Sequence, residues 1–165
     1  MNISSPLRYP GGKSSMADLL SQIRKINQLG NLPIAEPFAG GAGASLKLLY
    51  LEDSPSIHIN DKDSSIHNFW WSLLNKNEEF LATMSEKRVS MAEYYRQWEV
   101  YRNPKKYSRL EHGFATFFLN RCNRSGIIIN GGPIGGHEQT GKWKLNARFN
   151  KTELAERCLK VAEYS

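Results

Sequence analysis

After a polar opening turn, the apolar positions along the chain recur with periods that change from block to block. Over 15–29, Leu19, Ile23 and Ile26 return at helical spacing and predict a first helix. Ser15 and Asp18 form a capping-box pattern at its start, and Gly30 and Asn31 supply a stop. LPIAEPF is a short apolar run halted by a proline and glycines, which predicts a strand over 32–36. Residues 42–51 read as a second helix, with Ala44, Leu46, Leu48 and Leu49 apolar. SIHIN, residues 56–60, alternates as a strand does. Asp63 is placed to cap a further helix through Ile66, Phe69, Trp70 and Leu73. Strand, helix, strand, helix is the grammar of a parallel sheet in an α/β fold.

The pattern changes in the second half. Residues 77–122 carry helical periods and no strand signal. Tyr94, Trp98 and Tyr101 share one helical face, and Phe114, Phe117 and Phe118 share another. With Trp70 and Trp71 these aromatics read as packed core rather than a base pocket. Residues 123–147 are rich in glycine, asparagine and basic residues, long for a connection without a task. Residues 151–163 read as a last helix.

Composition adds three limits. At 165 residues and 40% hydrophobic the chain fits one ordinary domain and is not wholly disordered. A net charge of +6 favours a polyanionic partner, most simply nucleic acid, although a basic soluble protein of another kind fits as well. Cys122, Cys158 and the scattered histidines form no metal-ligand spacing, so zinc is not expected. No apolar run approaches the roughly 18 residues of a membrane helix, and no signal core opens the chain. A cytoplasmic protein with reduced thiols is the expectation.

Two glycine-rich stretches invite chemistry. LRYPGGKSS ends like a phosphate-binding loop, but the pattern needs its first glycine where Leu7 stands, and no strand precedes it. The alternative is a turn with Lys13 in solvent. AEPFAGGAG follows a predicted strand and opens a predicted helix. Its glycines allow close backbone approach, and the helix start offers free N–H groups. Glu36 at the strand end would repel a pyrophosphate and suits a ligand with a cationic end. Asp61 stands at the end of the second strand, about 20 positions on, where an acidic residue can accept from ribose hydroxyls or simply cap a helix. Together these features suggest a nucleoside ligand without pyrophosphate, with S-adenosylmethionine the obvious candidate.

RYPGGK, EPFAGGAG and IND, in that order, resemble the Dam-type family of adenine-specific DNA methyltransferases. FFLNRCNRSGI and GPIGGHEQTGKWKLNARFNK strengthen the resemblance, which spans essentially the whole chain. It implies a Rossmann-like methyltransferase sheet, here its front half, with an inserted, mainly helical DNA-recognition domain. It implies S-adenosylmethionine as cofactor, held by Tyr9, Lys13, Glu36, Phe38, Gly40 and Asp61. It implies double-stranded DNA as partner, with Asn120, Arg121, Arg124, Lys142, Lys144 and Arg148 in or near the interface. Arginine can read guanine and asparagine adenine, lysines neutralise phosphates, and Trp143 can stack on a base or pack under its loop. The implied division is 1–75 for the cofactor, 76–150 for DNA and 151–165 as a return helix.

The family's [DNS]PP[YFW] motif, where the flipped adenine meets the methyl donor, is not found: no Pro-Pro pair occurs in the 165 residues. The expectation is therefore a truncated or split enzyme with weak or no activity alone. Its raw sheet edge calls for a second chain, self-association or a rearranged fold. The alternative is a non-catalytic DNA-binding protein.

Overall fold

The structure is a computed structural model and describes residues 5–165. Strands β1 (Ile34–Glu36) and β2 (Ile57–Ile59) pair in parallel, with Ile34 opposite Ile57 and Glu36 opposite Ile59. Helix α1 (Ala17–Ile26) precedes β1, α2 (Gly43–Tyr50) links the two strands, and α3 (Ser64–Asn75) leaves β2. A parallel pair needs such a crossover, and it brings both strands' C-terminal ends to one edge. Among the described residues the sheet has these two strands alone. The molecule is thus mainly helical around a small parallel sheet, compatible with part of a methyltransferase fold.

Asp63 caps α3 as its position predicts, accepting from the Ser65 N–H at 2.8 Å. Helix α1 departs from its predicted form at both ends. A 3₁₀ turn, Lys13–Met16, leads into it, and no side chain caps it, so Ser15 and Asp18 form no capping box. It stops at Ile26, short of Gly30, because Arg24 satisfies the chain beyond: its Nη2 donates to the carbonyls of Leu29 and Leu32, each at 2.6 Å. The helix docks through Ala17, Ser21 and Arg24, at spacings of four and three. The Ser21 hydroxyl donates to Asp53 Oδ2 at 2.6 Å, and Lys25 pairs with the same carboxylate at 3.2 Å. The apolar stripe Leu19, Ile23 and Ile26 faces outward instead of forming core.

Helices α4 (Asn77–Glu86), α5 (Met91–Arg102), α6 (Arg109–Cys122) and α7 (Lys151–Ala162) build the second half. Ser108 and Glu111 start α6 with a complete capping box. From His112 to Cys122 every residue of α6 is buried. Gly113 lets α3 come close: a Cβ there would stand 2.4 Å from the Asn68 carbonyl oxygen and from Ser72 Oγ. Around α6 the rings interlock. Phe117 stacks on Phe69 at 5.9 Å and meets Phe80 at 5.3 Å and Phe149 at 5.5 Å. Trp70, Tyr94 and the three phenylalanines of α6 are buried, while Trp71 and Trp98 are half-buried, each beneath a guanidinium. One apolar cluster joins Leu7, Leu46, Phe69, Phe117, Leu154 and Val161, so the three sequence segments share a core.

Between α6 and α7 the chain forms a loop. An Asn123–Pro133 bridge closes its first part, and two 3₁₀ turns, Arg124–Gly126 and Leu145–Arg148, shape the rest. Among the described residues no helix is long and apolar enough to cross a membrane, and no cluster of His, Cys, Asp or Glu could hold a metal.

Candidate cofactor and nucleic-acid site

The C-terminal ends of β1 and β2 stay joined beyond the ladder. Asn60 N–H donates to the Glu36 carbonyl at 3.1 Å, and Ala39 N–H to the Asn60 carbonyl at 2.9 Å. The glycine loop is thereby held against the acidic turn after β2. Gly40 N–H donates to Asp61 Oδ2 at 2.7 Å, and Asp61 Oδ1 accepts from Asp63 N–H at 2.9 Å. Gly40 has φ +49°, and a Cβ on it would stand 2.8 Å from the Tyr9 ring. The glycine is required on both counts. From the core side the Trp70 indole donates to the Gly40 carbonyl at 2.9 Å.

Glu36 is held from two sides. Its Oε1 pairs with Lys13 Nζ at 3.1 Å, and its Oε2 accepts the Ser45 hydroxyl at the start of α2. Lys13 also donates to the Phe38 carbonyl at 3.4 Å. Tyr9, Lys13, Glu36, Gly40 and Asp61 therefore meet in one corner. Phe38 stands at its rim with 69% of its surface exposed, and the Tyr9 ring is 46% exposed. Partial burial raises the Tyr9 pKa, and the Asp61 and Asp63 carboxylates raise it further against the pull of Lys13. The phenol is held neutral.

The six residues expected at DNA divide into two groups. Arg124, Lys142, Lys144 and Arg148 are exposed, as is Trp143 beside Lys142. Lys144 Nζ donates to the Gln139 carbonyl at 2.6 Å, which ties the loop to itself. Asn120 and Arg121 are buried, at 1% and 6% exposure. The placement of Asn120 at bases does not fit its surroundings. Its Oδ1 accepts from Arg8 N–H at 2.8 Å, and its Nδ2 donates to the carbonyls of Arg8 at 2.7 Å and Gly126 at 2.8 Å. Both amide hydrogens are spent inside the fold, so Asn120 clamps the segment before Tyr9. Arg121 turns inward as well, its Nε donating to the Arg148 carbonyl at 3.0 Å.

Some participants were not legible in the sequence. Asn123 pins the loop from within, accepting from the Tyr94 hydroxyl at 2.8 Å and donating to the carbonyls of Ile127 and Ile128. Ser45 steadies Glu36, and Trp70 steadies Gly40. Trp70 gives a helical core signal and nothing more, and neither Asn123 nor Ser45 carries a spacing that marks it.

Among curated proteins none matches the chain. A family model described as D12 class N6 adenine-specific DNA methyltransferase matches residues 9–164, from the tyrosine over Gly40 to the end of the last helix. With nearly the whole chain covered by that match, this protein belongs to the D12 class N6 adenine-specific DNA methyltransferase family.

Proposed function

We propose that this chain supplies the cofactor-holding and DNA-reading parts of a DNA adenine methyltransferase that uses S-adenosylmethionine. The observation that carries this reading is the corner itself. Ring, lysine, glycine loop and two carboxylates, scattered over more than fifty positions of sequence, meet at the C-terminal ends of two parallel strands. Ligands of open α/β sheets bind at that edge.

The residues fit such a cofactor. S-adenosylmethionine supplies a methyl group on a sulfonium, together with a ribose diol and an amino acid end. Each Asp61 oxygen takes one backbone N–H, which leaves lone pairs for ribose hydroxyls. Tyr9 and Phe38 offer exposed ring faces. Glu36 gives the corner a negative charge for a cationic ligand. Lys13 can reach a ligand carboxylate once it loosens its exposed contact with Glu36.

DNA contact falls to Arg124, Lys142, Lys144 and Arg148 as phosphate partners, with Trp143 as a stacking surface. Segment 1–75 holds the cofactor, 76–150 reads DNA and 151–165 returns the chain. No residue is assigned to catalysis, since no Pro-Pro pair occurs in the 165 residues. We expect weak or no methyl transfer by this chain alone. The open edge of β1, beside the outward stripe of α1, is where we place self-association or a second chain.

Calorimetric titration with S-adenosylhomocysteine tests the reading. Binding in the micromolar range, weakened at least tenfold by Asp61→Ala, supports it. A folded chain that binds none refutes the cofactor assignment. The basic loop would then stand alone, as in a non-catalytic DNA-binding protein with steeply salt-dependent affinity.

A further inference from the structure

A cavity of about 700 Å³ opens along the Tyr9–Ser15 segment, with Tyr9 and Gly41 in its wall and Glu36 outside its lining. Four cationic side chains line it: Arg8, Lys47 of α2, Arg121 of α6 and Arg157 of α7. No aspartate or glutamate is among its lining residues. Lys47 is answered by Asp18 at 2.8 Å, and Arg157 by Glu153. Arg8 and Arg121 have no carboxylate partner among the described residues.

Arg121 is the telling member. It is 94% buried, and among the described residues its only hydrogen bond runs from Nε to the Arg148 carbonyl, so its Nη groups are left to face the cavity without a protein acceptor. Burial and the neighbouring Arg157 and Arg8 cations push its pKa down to about 10. Arg157 adds one further unanswered donor, since its Nε is buried with no partner among the described residues. Like charges gathered in a low-dielectric pocket destabilise a fold unless an anion joins them. Guanidinium forks match phosphoryl oxygens in planar, paired hydrogen bonds. Ser14 and Ser15 add hydroxyl donors on the near wall, while Lys13 between Gly12 and Ser14 turns to Glu36 instead. The volume holds a phosphate together with the sugar that carries it.

We infer that this cavity binds a phosphoryl group, carried by a nucleic-acid strand or free in solution. The site shares the Tyr9 wall with the proposed cofactor corner, but its cationic residues are not part of that assignment. The GGKSS stretch thus serves two ligands, lysine to one side and serines to the other.

Thermal melting in inorganic phosphate against chloride, at equal ionic strength, is the test. The wild-type chain is expected to melt about 3–6 °C higher at ten times the dissociation constant. Arg121→Met removes a buried charge that lacks a counter-charge. It is expected to melt at or above wild type in chloride and to lose the phosphate response. A structural arginine would instead melt lower when removed. Should that variant fail to fold, Arg8→Met, at a half-buried position, is expected to lose most of the response, with its chloride melting lowered only by loss of the Arg8 Nη1 bond to the Asn123 carbonyl at 3.1 Å. Duplex binding then separates the sources. A loss of at least tenfold in the variants, with phosphate competing, assigns the site to a strand backbone. Unchanged duplex binding with a lost phosphate response assigns it to a free phosphoryl group. The inference is overturned if the wild type does not respond to phosphate, or if the variants respond as it does. S-adenosylhomocysteine titration of the same samples scores the cofactor reading separately.

Discussion

Helices α1 and α6 each carry apolar residues at helical spacing, and the two sets meet opposite fates. α6 is enclosed from His112 to Cys122 by α3, α5 and the phenylalanine cluster. α1 shows Leu19, Ile23 and Ile26 to the outside, with Ile26 79% exposed, and docks through a serine and an arginine. Phe38, just past β1, borders the same open groove as Ile23. A periodic stripe states that a face gains free energy when covered. It does not state what covers it. In α6 the cover is this chain, and in α1 the described residues leave it off.

The largest expected effect comes from cutting into the closed side. Phe117→Ala removes a ring that touches Phe69, Phe80 and Phe149, and is expected to cost about 3–5 kcal/mol in urea unfolding. Ile26→Ala on the open side is expected to change stability by about 0.5 kcal/mol or less. Equal costs would mean that α1 is covered in solution, and the contrast would disappear.

The same contrast explains what was legible in the sequence. Elements whose signals are local were readable: the Asp63 cap, both strands and the last helix match to within a few residues, and 77–122 is helical as its periods predict. The glycine loop and the acidic strand end were readable as one constellation, because parallel topology alone brings strand ends together. Long-range polar bonds were not. Asn120 lies 112 positions from Arg8, and nothing in its neighbourhood signals that its amide is taken by that backbone. Arg24 ends α1 by the same means, reaching the Leu29 carbonyl, which periodicity treats as part of the helix, and that of Leu32 at the start of the predicted strand. A side chain that satisfies distant backbone leaves no period to read.

The corner at Gly40 sits between the two regions and is expected to show an intermediate effect. Gly40→Ala places a methyl group at φ +49° against the Tyr9 ring. We expect a loss of about 1–3 kcal/mol in stability, from strain and displacement of that ring. Asp61→Asn keeps the size but weakens a charge-assisted bond to Gly40 N–H, and is expected to cost about 1 kcal/mol. Urea unfolding of both variants checks the order. Effects as small as that of Ile26→Ala would place the corner with the open face.

A pH series probes the closed side without mutation. His112 is buried between α3 and α5, accepting at Nδ1 from Asn68 Nδ2 at 3.0 Å and donating from Nε2 to the Tyr101 carbonyl at 3.2 Å. Asn68 cannot simply turn its oxygen inward, since Oδ1 accepts from Arg109 at 3.0 Å. Burial lowers the His112 pKa, against the pull of the Tyr101 carbonyl and Asp63. The unfolded state therefore binds the proton at higher pH than the folded one. Stability from this residue is fully present above about pH 6.5 and falls as pH drops below it. Urea unfolding from pH 7.5 to 5 should show that decline, and His112→Gln should flatten it. A decline unchanged by the substitution would move its source to other groups.

The smallest expected change in stability is on the open face, where a second measurement carries the information. Ile23 is exposed and lines the apolar groove between α1 and β1. Ile23→Glu puts a charge on the exposed rim of that groove, where the side chain can turn to solvent, so its unfolding free energy should stay within about 0.5 kcal/mol of wild type. If the stripe is covered by another copy, the same charge must be desolvated in that contact, which is far more costly than losing one methyl group. Sedimentation across a concentration series then separates the cases. Wild type that associates while Ile23→Glu remains monomeric would show the face closing on itself, as the core around α6 closes within one chain. Equal sedimentation of both, with both monomeric, would leave the face for a different protein or chain segment. A large loss of stability in the isolated variant would mean that α1 already packs its stripe, and the division between the two regions would have to be redrawn.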